Sequence, residues 1–212
     1  LELRPEIYGS IAEEKVELNG LLYVIERLPI GIEECRYINL TSDEGYSVSP
    51  WTELADWTRF NYINYNFWEG NAVTWRDTYK AIFRCNQVLA NVPNITFQNE
   101  EDKKKIIAQA KFFRALHYYY AAVIWEDVPL VLDPSTPSDL PQQKKVAEIW
   151  AQIEKDLNEA IPDLPITIPA NESGRLTKGA ATALLGKIYL YDNKKSQAAV
   201  ELAKVNGTPG GT

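Results

Sequence analysis

The stretch that decides the fold is AQAKFFRALHYYYAAVIWEDVPLV, residues 108–131. Phe112, Phe113, Tyr118, Tyr119 and Tyr120 crowd it ahead of Trp125, small residues fill the gaps, and it halts at Val128-Pro129. A surface helix of an ordinary soluble domain is apolar along one stripe. This one has two. Extended back to about Glu101, it sets Ile106, Ala110, Phe113, His117, Tyr120 and Ile124 on one stripe, and Ala108, Phe112, Ala115, Tyr119 and Ala122 on another. A helix with two apolar stripes needs neighbours on both sides, so it is predicted to be the inner member of a helical stack with its rings serving as scaffold.

The flanking sequence supplies those neighbours. WRDTYKAIFRCNQVLAN, 75–91, aligns Trp75, Tyr79, Ile82, Asn86 and Leu89 and stops at Val92-Pro93. DPSTPSDLPQ, 133–142, is proline-rich and reads as a surface connection. VAEIWAQIEKDLNEAI, 146–161, is amphipathic, with Val146, Ile149, Trp150, Ile153, Leu157 and Ala160 inside and the acids and Lys155 outside. Pro162 and Pro165 end it. In TKGAATALLGKIYLY, 177–191, the small residues Gly179, Ala180, Ala181, Ala183 and Gly186 let another backbone approach closely. A short helix follows over about 195–205. At the front, 11–28 has a helical period broken at Asn19-Gly20, and 29–74 is loop-rich, punctuated by Gly31, Gly45, Pro50 and Gly70. The order predicts an all-α fold of stacked antiparallel helix pairs, TPR-like in logic although the repeat consensus itself is absent.

Composition removes several function classes. A formal charge of −7 opposes a nucleic-acid partner and a polybasic membrane-surface helix. No apolar run approaches the roughly 18 residues of a bilayer span. Leu1-Glu2-Leu3-Arg4 lacks the order of a signal peptide. Cys35 and Cys85 are too few for a disulfide scaffold and read as free, buried thiols. Serine-elbow, Walker, dinucleotide and zincin motifs are all absent. His117, the only histidine, has no companions with which to hold zinc and is expected to be a core residue with its hydrogen bonds satisfied. Arg114, a turn before Tyr118, reads as one half of a structural ion pair, and Gly174-Arg175 as a turn entering a helix. No catalytic residue, metal ligand or cofactor is expected.

Four stretches together carry a family likeness. AQAKFFRALHYYYAAVIWEDVPLV resembles the Ala-x-Ala-x-Phe-x-Arg-Ala pattern, aromatics, an acidic or Gly-Asp step and Val-Pro-Leu of the SusD/RagB family of outer-membrane nutrient-binding lipoproteins. WRDTYKAIFRCNQVL is similar to that family's Trp-x3-Tyr-x2-Ile-x3-Asn helix, VAEIWAQIEKDLNEAIPDLP to its Asp-Leu-x2-Ala helix ending at Leu-Pro, and SGRLTKGAATALLGKIYLY to its Gly-Arg-x-Thr-Lys-Gly-Ala-Ala helix. They fall in the family's order over about 75–191. The resemblance implies TPR-like helix pairs, a glycan-binding face made mainly by inserted loops, a lipid-anchored cell-surface location at the outer membrane, and a SusC-like TonB-dependent transporter as partner. It also implies that this chain is the N-terminal portion of a longer one, with the lipid-accepting cysteine and the C-terminal portion lying outside it.

The segment YSVSPWTELADWTRFNYINYNFW, 46–68, is the expected ligand-facing part of the 29–74 insertion. It interleaves Tyr46, Trp51, Trp57, Phe60, Tyr62, Tyr65, Phe67 and Trp68 with Asp56, Arg59, Asn61, Asn64 and Asn66. A sugar ring offers an apolar face to an aromatic plane and a rim of hydroxyls to amides, carboxylates and guanidinium groups, so this mixture suits it. The same rings could equally pack the segment onto the helices. The family places ligand contacts just after an Asp-Glu step, here Asp43-Glu44. The candidate binding set is therefore Asp43, Tyr46, Trp51, Trp57, Asn66 and Trp68. The expected function is non-enzymatic glycan or oligosaccharide binding and delivery to the transporter. Two rivals are a TPR-type peptide adaptor, whose groove would need Lys, Arg and Asn on inner faces, and a glycoside hydrolase, whose carboxylate pair is a matter of tertiary distance.

Overall fold

In the computed structural model of the chain, residues 58–59, 71–136, 138–170 and 174–206 are described. They form five α-helices: α1 (Asn71–Asn91), α2 (Glu100–Trp125), α3 (Val146–Ala160), α4 (Lys178–Tyr191) and α5 (Lys195–Val205). Short 3-10 turns follow α1 and α3, and two-residue strands β1 (Val128–Pro129) and β2 (Gln143–Lys144) separate α2 from α3. The predicted helix at 11–28 and most of the 29–74 insertion lie outside the described residues. The chain divides into two compact units, residues 27–80 and residues 1–26 with 81–212. In the smaller unit, Trp75 and Tyr79 lie a turn apart on α1 with ring centroids 4.8 Å apart, and Asp77 pairs with Arg76 and Lys80 at 2.9 and 3.3 Å.

The larger unit is built around α2. Asn99 caps it, its side chain accepting the Glu101 N–H at 3.0 Å, and Glu100, Glu101 and Asp102 place negative charge against the positive end of the helix. Lys103 donates to the carbonyls of Pro93 and Ile95 at 2.8 and 3.0 Å, fastening the link from α1. Val88, Val92 and Ala110 pack as a cluster with Leu89, Phe97, Ile106 and Ile107 around it. The helix is buried on nearly every side, as its two stripes predicted. The second stripe, Ala108 to Ala122, is wholly buried. On the first, Ala110 and His117 are buried whereas Phe113 and Tyr120 are only half-buried. A further buried line through Arg114, Tyr118 and Ala121 completes the surround.

The remaining helices stack outward. Ile149, Trp150, Ile153, Leu157 and Ala160 of α3 are buried, and α3 packs chiefly along α2 while α5 packs along α4. Lys111 of α2 reaches Glu159 of α3 at 2.8 Å. Thr177 caps α4 by accepting the Ala180 N–H at 3.2 Å. Gly174, at φ +97°, makes the turn that precedes it. At the α4–α5 crossing a Cβ on Gly186 would sit 2.6 Å from two side-chain atoms of Leu202, so here the small residue admits the partner helix. This is the all-α, TPR-like stack of antiparallel helix pairs that the sequence pattern predicts.

In α3 and the loop before it, two features go beyond the sequence reading. Asp156 lies on the buried side of α3, 1% exposed, and not with the other acids outside. The 133–142 connection, moreover, is clamped at its base. β1 and β2 pair antiparallel, Val128 with Lys144 and Pro129 with Gln143. Asp127 accepts the Val146 N–H and a Lys145 ammonium bond, each at 2.8 Å. Lys145 occupies the cap position of α3 with no capping side-chain bond of its own, so a carboxylate from the preceding loop supplies the missing acceptor. These bonds, the lysine's first, hold the Asp127 carboxyl below the usual carboxylate range.

Candidate functional site

Of the expected ligand residues, Asp43, Tyr46, Trp51, Trp57, Asn66 and Trp68 all lie outside the described residues. Arg59, from the same segment, is described and exposed. What the described residues bring together is the support of a different surface, the loop between α2 and α3.

That support is a buried polar knot. Arg114, 7% exposed, grips both oxygens of Asp156 through Nε and Nη2 at 2.8 and 2.7 Å. Its Nη1 donates to Asn86 Oδ1 at 2.9 Å and to the Leu132 carbonyl at 3.2 Å. Asn86 in turn donates to the carbonyls of Val131 and Asp133 at 2.9 and 3.3 Å. The Tyr118 hydroxyl donates to the Val131 carbonyl at 2.8 Å and accepts the Val131 N–H at 2.7 Å. Gln152 gives Asp156 a further donor at 2.9 Å. Side chains from α1, α2 and α3 thus replace the strand partner that the main chain of 131–133 would otherwise need.

The electrostatics follow from burial. Desolvation works against charge on Arg114, but the bidentate Asp156 carboxylate outweighs it and holds the guanidinium pKa above its ordinary value. Burial raises the Tyr118 phenol and pushes the Cys85 thiol up to about 12, which leaves that cysteine an inert core residue. Burial also drives His117 down to about 3. The sequence reading expected a core histidine with its bonds satisfied; it is in the core, but both ring nitrogens are buried without a hydrogen-bond partner. The ion-pair reading of Arg114 is borne out, and the partner it did not name is Asp156. The available signal was an acid on the apolar stripe of one helix and an arginine on the apolar side of its neighbour.

Above the knot the loop forms an open groove of about 420 Å³ lined by Leu130, Leu132, Pro134, Leu140 and Pro141, with Asp133, Ser135 and Asp139 as its polar members. Asp139 folds the tip by accepting the Thr136 N–H and hydroxyl. Among the described residues no group of three His, Cys, Asp or Glu side chains could hold a metal ion, and no helix is long and apolar enough to cross a membrane. The knot holds a loop at a fixed distance from the helices; it contains no nucleophile beside a base.

Comparison with known proteins places this architecture. A family described as starch-binding and associating with the outer membrane, SusD-like, matches residues 32–190. The SusD-like protein P25 of Formosa agariphila is 31% identical over 121 residues, which are 56% of this chain and 23% of that protein. The starch-binding protein SusD of Bacteroides thetaiotaomicron is 35% identical over 85 residues, 39% of this chain and 14% of that protein. Among solved structures, a laminarin-binding SusD-like protein superposes with a TM-score of 0.81 at 35% identity, over 93% of this chain and 44% of that one. The chain therefore spans under half the length of these relatives. With the family match covering most of its residues and the same helical stack in a solved relative, this chain belongs to the SusD/RagB family of SusD-like proteins.

Proposed function

We propose that the protein binds glycan or oligosaccharide nutrients without chemically altering them, at the outer membrane, and passes them to a SusC-like TonB-dependent transporter. The observation that carries this reading is the 35% identity, over nearly the whole chain, to a structure described as laminarin-binding. The helices act as scaffold, and ligand contact falls to Asp43 and to the ring-rich segment 46–68 through Tyr46, Trp51, Trp57, Asn66 and Trp68. The reading includes anchoring at that membrane through a lipid group. Titrating the chain with laminarin, maltooligosaccharides and a β-1,4-linked oligosaccharide, with an assay for new reducing ends run alongside, tests the reading. Saturable binding with no new reducing ends is expected. Reducing-end release would move the protein to the glycoside hydrolases. Binding of peptides but of no glycan would move it to the TPR-type adaptors.

A further inference from the structure

An aromatic assembly lies where the C-terminal ends of α2 and α4 meet the start of α3. Tyr119 and Trp150 are nearly buried there, at 3% and 8% exposure, while Tyr191 is 53% exposed. The three rings fix one another. Tyr191 stands perpendicular to Tyr119 with centroids 5.3 Å apart, and Trp150 lies 6.5 Å from Tyr191 and 6.2 Å from Tyr119. An exposed tyrosine at the end of a helix ordinarily samples several rotamers; this one is held, so the ordering that a stacked ligand would require is largely complete beforehand.

Charged residues of both signs are close to Tyr191 along the chain. Lys187, one helical turn before Tyr191 and so on the same face, is exposed, and its ammonium lies 5.1 Å from the Tyr119 ring centroid. Asp192, the next residue, pairs with Lys194 at 2.8 Å, and Lys194 also pairs with Glu154. Apart from Tyr191, the large exposed apolar side chain in the last turn of α4 is Leu190. A stable protein–protein interface covers about 800 Å² on each partner with an apolar centre. Leu190 and Tyr191 together fall well short of that, whereas one exposed ring matches the footprint of one sugar ring.

We propose that Tyr191, buttressed by Tyr119 and Trp150 and with Lys187 and Asp192 beside it on the chain, is a further carbohydrate-binding site, built from α2, α3 and α4. One pyranose ring stacks by its C–H face on Tyr191, while its hydroxyls accept from the Lys187 ammonium and donate to the Asp192 carboxylate. The proposal rests on the glycan-binding reading of the protein, and adds a site to it.

The test is titration of the 212-residue chain and its variants with laminarin and maltooligosaccharides, with helicity and sedimentation checked for each. Tyr191→Ala and Tyr191→Leu should both weaken binding of at least one glycan by roughly threefold to tenfold, the range of a lost aromatic contact. Tyr191→Phe, which keeps the plane, should bind within about twofold of the parent on the same scale. In a Trp51→Ala background, Tyr191→Ala should weaken the binding that remains by a similar further factor. If Tyr191→Leu binds as the parent does, or if the ring proves to mediate a dimer that Tyr191→Ala dissociates, the second site is overturned while the family reading stands. If the parent chain binds none of the glycans, both fall together.

Discussion

At the scale of single residues, two buried polar groups in this core behave in opposite ways. Arg114 and Asp156 satisfy each other and have secondary donors and acceptors around them. Removing only one leaves the other buried and uncompensated, which costs about 3–5 kcal/mol. Arg114→Ala should therefore lower unfolding free energy by that amount in denaturant titrations. Arg114→Met combined with Asp156→Leu should recover a large part of it, because no lone charge remains. His117 is the opposite case, 0% exposed with neither nitrogen partnered. Its folded pKa, about 3, lies below the ordinary 6.5, so the unfolded chain binds the proton and the folded one does not. Above about pH 6.5 neither state binds the proton, so this group adds no pH-dependent penalty. As pH falls from there toward about 3, stability is lost at up to about 1.4 kcal/mol per unit. His117→Leu should flatten that part of the profile, and the difference between parent and variant measured at pH 7 and pH 5 isolates the effect.

At the scale of elements, what the sequence displayed and what it concealed have separate physical causes. Helix bounds were legible because they are set locally. Apolar spacing, Asn99, Thr177 and the prolines after α1 and α3 act within a turn or two, and α3, α4 and α5 begin within a residue of their expected starts. Bonds between distant residues left no local trace. The capping of α3 by Asp127 and the hold of Asn86 on residues 131 and 133 span 19 to 47 positions, and no periodicity encodes them. Two substitutions test element boundaries. At the end of α2, Glu126 sits at φ 60° and ψ −97°, a conformation that glycine adopts without steric cost. The resemblance allowed an acid or a glycine at this step, and Glu126→Gly should raise stability by about 1 kcal/mol. At Gly186 the sign reverses. An exposed helical glycine replaced by alanine gains about 1 kcal/mol, but here the new methyl meets Leu202 at 2.6 Å. Overpacking of this kind costs about 1–3 kcal/mol, so thermal unfolding of Gly186→Ala should show a net loss of about 1 kcal/mol.

At the scale of the whole molecule, scaffold and proposed ligand face are separable in sequence because they obey different rules. The scaffold repeats at helical spacing and can be checked residue by residue. The ring-rich segment has no period, so its rings fit a sugar face or a packed loop equally well, and only a measurement on the segment itself distinguishes the two. The comparison has to be made with a scaffold ring that is truly buried. Phe113, on the first stripe, is only half-buried, whereas its neighbour Phe112 is 8% exposed and lies 5.4 Å from it in an edge-to-face pair. Phe112→Ala should accordingly cost about 3–5 kcal/mol of stability and leave the affinity of the remaining folded molecules unchanged. Trp51→Ala should leave the unfolding midpoint where it is and weaken glycan binding by about 1 kcal/mol, the contribution of one stacked ring. Paired unfolding curves and glycan titrations of both variants decide the matter. A Trp51→Ala protein that binds every glycan normally but unfolds early would make that tryptophan part of the packing, and would transfer the search for the main sugar contact to the other rings of 46–68.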